Sequence, residues 1–224
     1  MANSWSRYTG ASPATNFAHV MKLFASTLGA VALATASFAV QAQAVKPDAA
    51  KGAAFYGQVC VACHAADGNS VLPANPKLAG QFPEYLNKQL QELKSGKREN
   101  AVMKGFASMM SDEDMRNVAH WLSTQKPALG TSTDKDMVAL GEKIFRGGIA
   151  DRQIAACAGC HSPNGAGIPA QYPRLSGQHA EYTASQLTAF RDGIRKNNLQ
   201  MTQVAAKMND REIKAVADYI AGLR

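Results

Sequence analysis

The chain has 224 residues, 46% hydrophobic and 18% charged, and its 24 Lys and Arg outnumber its 17 Asp and Glu to give a formal charge of +7. A basic balance of this size can indicate a nucleic-acid partner, but the chain contains no run of basic residues. We therefore predict that the protein does not bind nucleic acid.

Residues 1–44 form a predicted leader with a secretory signal peptide. An apolar stretch over residues 23–40 follows Met21 and Lys22, and an A-x-A sequence comes after it and ends at Ala44. The alternative is an uncleaved membrane anchor, but Ser, Thr and Gly interrupt this run of 18 residues, and the A-x-A sequence favours cleavage. Export predicts a periplasmic protein. The leader holds two basic residues, so the mature chain keeps 22 basic and 17 acidic residues, a formal charge of +5.

The pentapeptide Cys-Val-Ala-Cys-His occupies residues 60–64 and recurs as Cys-Ala-Gly-Cys-His at residues 157–161. The two copies use all four cysteines of the chain, which are Cys60, Cys63, Cys157 and Cys160. Two thiols three positions apart on one helical turn can form thioethers with the vinyl groups of a haem, and the histidine after them can reach its iron. The sequence therefore predicts two covalently bound haem c groups.

Other kinds of cysteine site explain the pentapeptides less well. A four-cysteine zinc site would bring its two C-x-x-C pairs much closer than the 94 positions between Cys63 and Cys157. A thioredoxin-like pair needs a βαβ context, which neither copy has, and it has no use for the histidine. No cysteine is left over for a disulfide framework.

The repeat continues beyond the cysteines and predicts an all-α fold of two tandem domains. The sequence P-K-L-A-G-Q at residues 76–81 matches P-R-L-S-G-Q at residues 173–178, 97 positions later. In each copy we expect a helix, the haem motif, an irregular loop, a middle helix, a methionine loop and a last helix. Strand patterning is absent.

Helix signals recur at corresponding positions of the two copies. A glycine on the first helix, followed by Phe55 or Phe145, permits a close crossing with the last helix. A second glycine can end the middle helix, and a capping box begins the last one. These signals are Gly52, Gly96 and Ser111 with Asp114 in the first copy, and Gly141, Gly193 and Asn209 with Glu212 in the second.

We place the domain boundary in residues 126–132. This gives an N-terminal domain over residues 45–128 and a C-terminal domain over residues 129–224, each made mainly of three helices. Either half is small for a core built of protein alone, so a buried porphyrin is expected to act as its largest apolar group.

His64 and His161 are the predicted proximal iron ligands, because each follows its second cysteine directly. A proximal histidine needs a carbonyl to hold its other ring N–H, and the carbonyls of Pro76 and Pro173 are candidates. The alternative is that these prolines only punctuate the loop.

Met103 and Met201 are the predicted distal ligands. Each lies in a polar segment about 40 residues after its histidine and eight residues before the capping residue. Met110 and Met208 directly precede the caps, where a hydrophobic staple already accounts for them.

Three further residues are weaker candidates for the distal position because the repeat does not duplicate them. These are Met109, His120 and His179. Histidine and methionine together leave iron no open position for a substrate, so an electron carrier is predicted rather than an enzyme.

Several polar residues that are duplicated after each motif could hold the haem propionates, or could be ordinary solvated residues. They are Lys77, Gln81, Tyr85, Arg174, Gln178 and Tyr182.

These features together resemble the dihaem cytochrome c4 family, over essentially all of residues 45–224. The resemblance rests on the two C-x-x-C-H motifs, the P-[KR]-L-[AS]-G-Q repeats, Met103 and Met201 before the caps, and F-R-G-G at residues 145–148. It implies two class I cytochrome c domains related by pseudo-twofold symmetry, with His64 and Met103 on one iron and His161 and Met201 on the other. It also implies a periplasmic carrier, often membrane-associated, that donates to a haem-copper terminal oxidase.

Three functions therefore stand as hypotheses. The first is a monomeric carrier between a quinol-oxidising complex and a terminal oxidase, associated with the outer face of the inner membrane. The second is the dihaem subunit of a flavin-dependent dehydrogenase, such as a sulfide-oxidising flavocytochrome. The third, a dihaem peroxidase, requires an exchangeable iron position, against which a methionine in both copies argues.

Overall fold

The computed structural model describes residues 46–224, so the predicted signal peptide and its cleavage site lie outside the described residues. No helix within residues 46–224 is long and apolar enough to cross a bilayer. The same part of the chain has no β-strand, only isolated bridges between Ile149 and Ile154 and between Ile168 and Tyr172. The all-α prediction is confirmed.

Each half contains three principal helices and two short ones. The N-terminal half consists of α1 (Ala49–Val59), α2 (Val61–His64), α3 (Pro83–Ser95), α4 (Ala101–Ser108) and α5 (Asp112–Ser123). The C-terminal half consists of α6 (Lys135–Gly147), a 3-10 turn (Ala150–Arg152), α7 (Cys157–His161), α8 (Ala180–Arg191), α9 (Leu199–Ala205) and α10 (Asp210–Gly222). The segment between α5 and α6 holds the proposed domain boundary.

The first and last helices of each half cross at a glycine, as the sequence predicts. A Cβ atom on Gly52 of α1 would lie 2.1 Å from the carbonyl oxygen of Asn117 on α5. A Cβ atom on Gly141 of α6 would lie 2.2 Å from the carbonyl oxygen of Ala215 on α10. Neither position has room for a side chain, so each glycine sets how closely its two helices approach.

An aromatic pair packs beside each crossing, and in the N-terminal half it uses Tyr56 rather than the neighbouring Phe55. The ring centroids of Tyr56 and Trp121 are 4.6 Å apart, and those of Phe145 and Tyr219 are 5.5 Å apart. Tyr56 is buried and Phe55 only partly so. The reason is spacing, since Tyr56 lies four residues after Gly52 and therefore faces the last helix as Phe145 does.

The last helices begin as predicted. Capping boxes are formed by Ser111 with Asp114 and by Asn209 with Glu212. Met110 shares a core cluster with Met115, and Met208 shares the other cluster with Ile213, which are the contacts of a hydrophobic staple.

The prediction of a methionine loop in each half is wrong in detail, because these segments form the short helices α4 and α9. The side chains of Asn100 and Asn198 cap them by accepting hydrogen bonds from the backbone N–H groups of Met103 (2.8 Å) and Met201 (2.9 Å). Each methionine is therefore the third residue of a capped helix. A helix of seven or eight residues is too short to show a clear hydrophobic period.

Candidate haem sites

Each pentapeptide folds as a short helix that ends at its histidine, so its two cysteines lie on one helical turn. The residue after each histidine, Ala65 or Ser162, has a positive φ of 62° or 69°. Side chains disfavour this conformation, and it turns the chain sharply away from the motif.

The two buried histidines are oriented by the proline carbonyls that the sequence proposes. Nδ1 of His64 lies 3.0 Å from the Pro76 oxygen, and Nδ1 of His161 lies 2.9 Å from the Pro173 oxygen. A carbonyl can only accept, so Nδ1 carries the proton and Nε2 has a free lone pair for a metal. Burial lowers the pKa of both histidines, although the carbonyl bonds act against it. Both rings are therefore neutral at pH 7.

A cavity of about 650 Å³ runs through both halves beside these histidines. It is lined by His64, His161 and all four cysteines. Burial raises the pKa of Cys60 and of Cys157 to about 11, so both free thiols would be protonated at neutral pH. The two cysteine pairs are not brought together, since residues 46–224 contain no group of three or more His, Cys, Asp or Glu that could hold a metal ion.

Met103 and Met201 line the cavity and are only partly buried by protein. Met110 and Met208 also line it, but both are 4% exposed and belong to the protein core. Met109 is 62% exposed. The structure thus distinguishes Met103 and Met201 from the other three methionines, as the sequence repeat does. Their assignment as iron ligands stays a prediction.

His120 and His179 do not line this cavity. His120 is partly buried in the last turn of α5. Nε2 of His179 lies 2.7 Å from the carbonyl oxygen of Ser70 in the other half, so that nitrogen is engaged in the contact between the halves.

The cations around the cavity are suited to binding haem, because they have no carboxylate partners in the part of the chain that the structure describes. Lys77, Arg98, Arg174 and Arg195 line the cavity, and within residues 46–224 none of them forms an ion pair with a carboxylate. Nε of Arg174 is buried without a hydrogen-bond partner, and burial lowers the pKa of both Arg174 and Lys77. Arg195 is buried and the other three are partly buried. Cations in such places are normally paired, and the propionates of two haems would supply anions for them.

Two of these arginines donate hydrogen bonds to the other half, a role that the sequence prediction missed. Arg98 donates to the Tyr182 hydroxyl (2.8 Å) and to the Gln186 side chain (3.0 Å). Arg195 donates to the Gln89 side chain (3.0 Å), and its Nη2 lies 3.3 Å from the Tyr85 hydroxyl oxygen. A signal was available, because Arg98 and Arg195 are separated by the same 97 positions as the rest of the motif.

Gln81 and Gln178 line the cavity, and their side-chain amides form hydrogen bonds to the other half. The Gln178 side chain accepts from the Lys77 N–H and donates to the Lys77 carbonyl, both at 2.9 Å. The Gln81 side chain forms the same two bonds with Arg174, also at 2.9 Å. The repeated glutamines hold the two halves together.

Glu92 is a buried carboxylate at this interface, and it leads to a prediction on acid stability. It accepts hydrogen bonds from Lys88 and from Asn197 of the other half, both at 2.7 Å, and pairs with Lys97 at 3.1 Å. Burial raises the pKa of Glu92, but these three partners outweigh it and hold that pKa below its ordinary value of 4.5. The stabilisation is therefore complete above the unfolded-state pKa and is lost as pH falls through the folded-state pKa.

We expect Glu92→Gln to lower the thermal midpoint at neutral pH and to remove part of the fall in that midpoint that begins as the pH drops below 4.5. Thermal unfolding followed by circular dichroism measures both effects. Glu113→Gln is the matched control, because Glu113 and its ion-pair partner Lys51 are both exposed, so solvent screens this pair. Equal effects of the two substitutions would contradict the role given to Glu92.

Comparison with known proteins agrees with this geometry. The family model described as cytochrome c matches residues 49–126 and again residues 138–224. The chain is 47% identical over 178 residues to a cytochrome c4 of Azotobacter vinelandii, which covers 74% of this chain and 84% of the relative. It is 39% identical over 171 residues to a thiosulfate dehydrogenase electron acceptor of Stutzerimonas stutzeri, covering 73% and 78% of the two chains.

The fold is similar to that of a solved structure as well. The crystal structure of reduced recombinant cytochrome c4 from Pseudomonas stutzeri superposes with a TM-score of 0.76 and 44% identity, covering 80% of this chain and all of that one. Two cytochrome c domains, two C-x-x-C-H sites and this likeness together account for two covalently bound haem c groups. The chain therefore belongs to the dihaem cytochrome c4 family, and it is an electron carrier rather than an enzyme.

Proposed function

We propose that this protein is a periplasmic carrier that passes single electrons from a quinol-oxidising complex to a haem-copper terminal oxidase. The observation that carries the proposal is the pair of buried, carbonyl-oriented histidines, each with a methionine available on the same cavity. A fully ligated iron can exchange an electron but cannot bind a substrate.

The site residues have the following roles in this carrier. Cys60 and Cys63 attach one haem and Cys157 and Cys160 attach the other, while His64 with Met103 and His161 with Met201 complete the iron ligands. When bound, each haem supplies an iron that can be oxidised or reduced by one electron. The chain holds the histidine tautomers, surrounds the cavity with apolar side chains and places four cations near the interface, where propionates can pair with them.

The mature protein is proposed to be a monomer at the outer face of the inner membrane. Support for this location comes from the predicted signal peptide, which would direct the chain across the inner membrane.

A second candidate is favoured by one comparison. A relative named as the electron acceptor of thiosulfate dehydrogenase suggests that the donor here could be a sulfur-compound dehydrogenase. The dihaem subunit of a sulfide-oxidising flavocytochrome, expected from the sequence, is a related form of this candidate. Both differ from the first proposal in the donor and not in the chemistry of the irons.

Oxygen uptake by isolated membranes with the reduced protein as sole donor tests the first proposal. We expect the protein to support uptake that cyanide blocks, and to purify without a stoichiometric partner. Uptake no faster than the background rate, together with a dehydrogenase that copurifies in equal amount, would replace the first proposal by the second.

A further inference from the structure

The peptide groups that hold the two histidines are themselves held by the opposite half of the molecule. The Pro76 carbonyl accepts from Nδ1 of His64, and the N–H of the same peptide group, carried by Lys77, donates to Gln178. In the other half the Pro173 carbonyl accepts from His161, and the N–H of Arg174 donates to Gln81. Each histidine is thus joined through one peptide group to a glutamine of the other half.

The orientation of both glutamines is fixed by their partners. Oε1 of Gln178 accepts a second backbone N–H, that of His179, while Nε2 faces the Lys77 carbonyl. Oε1 of Gln81 likewise accepts the N–H of Phe82. A rotated amide would put N–H groups against N–H donors, so the oxygen must face the peptide that holds the histidine.

Hydrogen bonds on the two sides of one peptide group strengthen each other. When its N–H donates, the carbonyl oxygen becomes more negative and accepts more strongly, by roughly 10–30% for a bond in such a chain. A stronger bond to Nδ1 makes the imidazole a better electron donor to a metal on Nε2. Better donation favours ferric over ferrous iron.

We propose that Gln178 and Gln81 are positioning residues that act across the interface, each setting the reduction potential of the haem in the other half. This inference rests on the proposed function, in which His64 and His161 bind the irons. It also explains the repeated P-[KR]-L-[AS]-G-Q sequence, because its proline supplies the carbonyl, the next residue supplies the N–H, and its glutamine reaches the other copy.

The test is a redox titration of holoprotein followed by NMR, so that signals from each half report its own haem. Gln178→Leu should raise the potential of the haem at Cys60 and Cys63 and leave the other almost unchanged. We expect about a two- to fourfold change in its ratio of oxidised to reduced forms at the original midpoint, or about 20–35 mV at 59 mV per tenfold change. Gln81→Leu should act on the other haem instead.

A second readout is the ring Nδ1–H resonance of each histidine in the reduced protein. Gln178→Leu should shift the His64 resonance toward that of a weaker hydrogen bond and leave that of His161 in place. Should the leucine variant give too little holoprotein, Gln178→Met keeps the length of the side chain and should give the same pattern.

His179→Phe is the matched control, since Phe82 occupies this position in the first copy. It removes another bond between the halves, from His179 to Ser70, without touching either peptide group that holds a histidine. Both potentials should stay unchanged. Equal shifts of both haems, a shift in the glutamine's own half, or the same shift from His179→Phe would overturn the inference.

Haem content and the absorption spectrum of the unsubstituted protein separate this inference from the proposed function. Suppose the protein holds two haems with sulfur ligation, but neither glutamine substitution shifts the reduction potential of the haem in the other half. That result would refute the inference alone. A protein without haem at Cys60 and Cys63 would refute the site assignment itself.

Discussion

Replacing Met103 by alanine should abolish one of two sulfur-to-iron charge-transfer bands in the oxidised protein and lower one of its two potentials. Thioether sulfur stabilises ferrous iron, so its loss favours the ferric form. We expect a fall on the order of 0.2 V, within the range of about 0.8 V that axial ligands span. Met201→Ala should do the same to the other haem. Near-infrared absorption and a redox titration measure both effects.

Two other methionines of the N-terminal half serve as controls for this prediction. Met109 is 62% exposed, so Met109→Ala should change neither the band nor the stability. Met110 is 4% exposed and packs in the core with Met115, so Met110→Ala should keep the band but lower the free energy of unfolding by about 2–5 kcal/mol. Loss of the band in Met110→Ala would show that the ligand is assigned to the wrong methionine.

Gly52→Ala should destabilise the protein by about 3 kcal/mol or more, a large effect for the addition of one methyl group. The new Cβ would lie 2.1 Å from the backbone oxygen of Asn117 and 3.0 Å from Cβ of Trp121. A backbone carbonyl inside α5 cannot turn aside, so α1 and α5 must separate and loosen the contact of Tyr56 with Trp121. Denaturant unfolding of holoprotein measures the loss.

Gly57 provides the matched control on the same helix. A Cβ atom at Gly57 would meet nothing within 4 Å, so Gly57→Ala should be neutral or stabilise by about 0.5–1 kcal/mol through helix propensity. Gly141 and Gly147 form the same pair on α6, since a Cβ atom would clash at Gly141 and meet nothing at Gly147. Equal effects at Gly52 and Gly57 would mean that the crossing is not as close as described.

The sequence predicts most of what lies within one copy of the repeat. The attachment motif is readable because covalent chemistry requires its cysteines and histidine to be adjacent. The proline carbonyls are one of two interpretations that the sequence allows, and the structure decides in their favour. The capping boxes and the crossing glycines are local signals of helix geometry, and the structure has all of them.

What the sequence does not reveal is which repeated residues cross between the copies. Gln81 and Arg98 are duplicated as clearly as the prolines, but their partners lie in the other half, about 90 positions away. A repeat shows that a residue type is needed without showing whether its partner is in the same copy. The short helices α4 and α9 escape prediction for another reason, since an asparagine cap starts each helix and its length gives little periodicity.

We expect this chain to carry two covalent haems, each with its iron bound by a histidine and a methionine, and to exchange one electron at each. A redox titration combined with a pyridine haemochrome count tests it most directly, on holoprotein from a host that matures c-type cytochromes. The expected result is two haems per chain, two one-electron steps, and no binding of cyanide or carbon monoxide at neutral pH. One haem per chain, or an iron that readily binds such ligands, would contradict it.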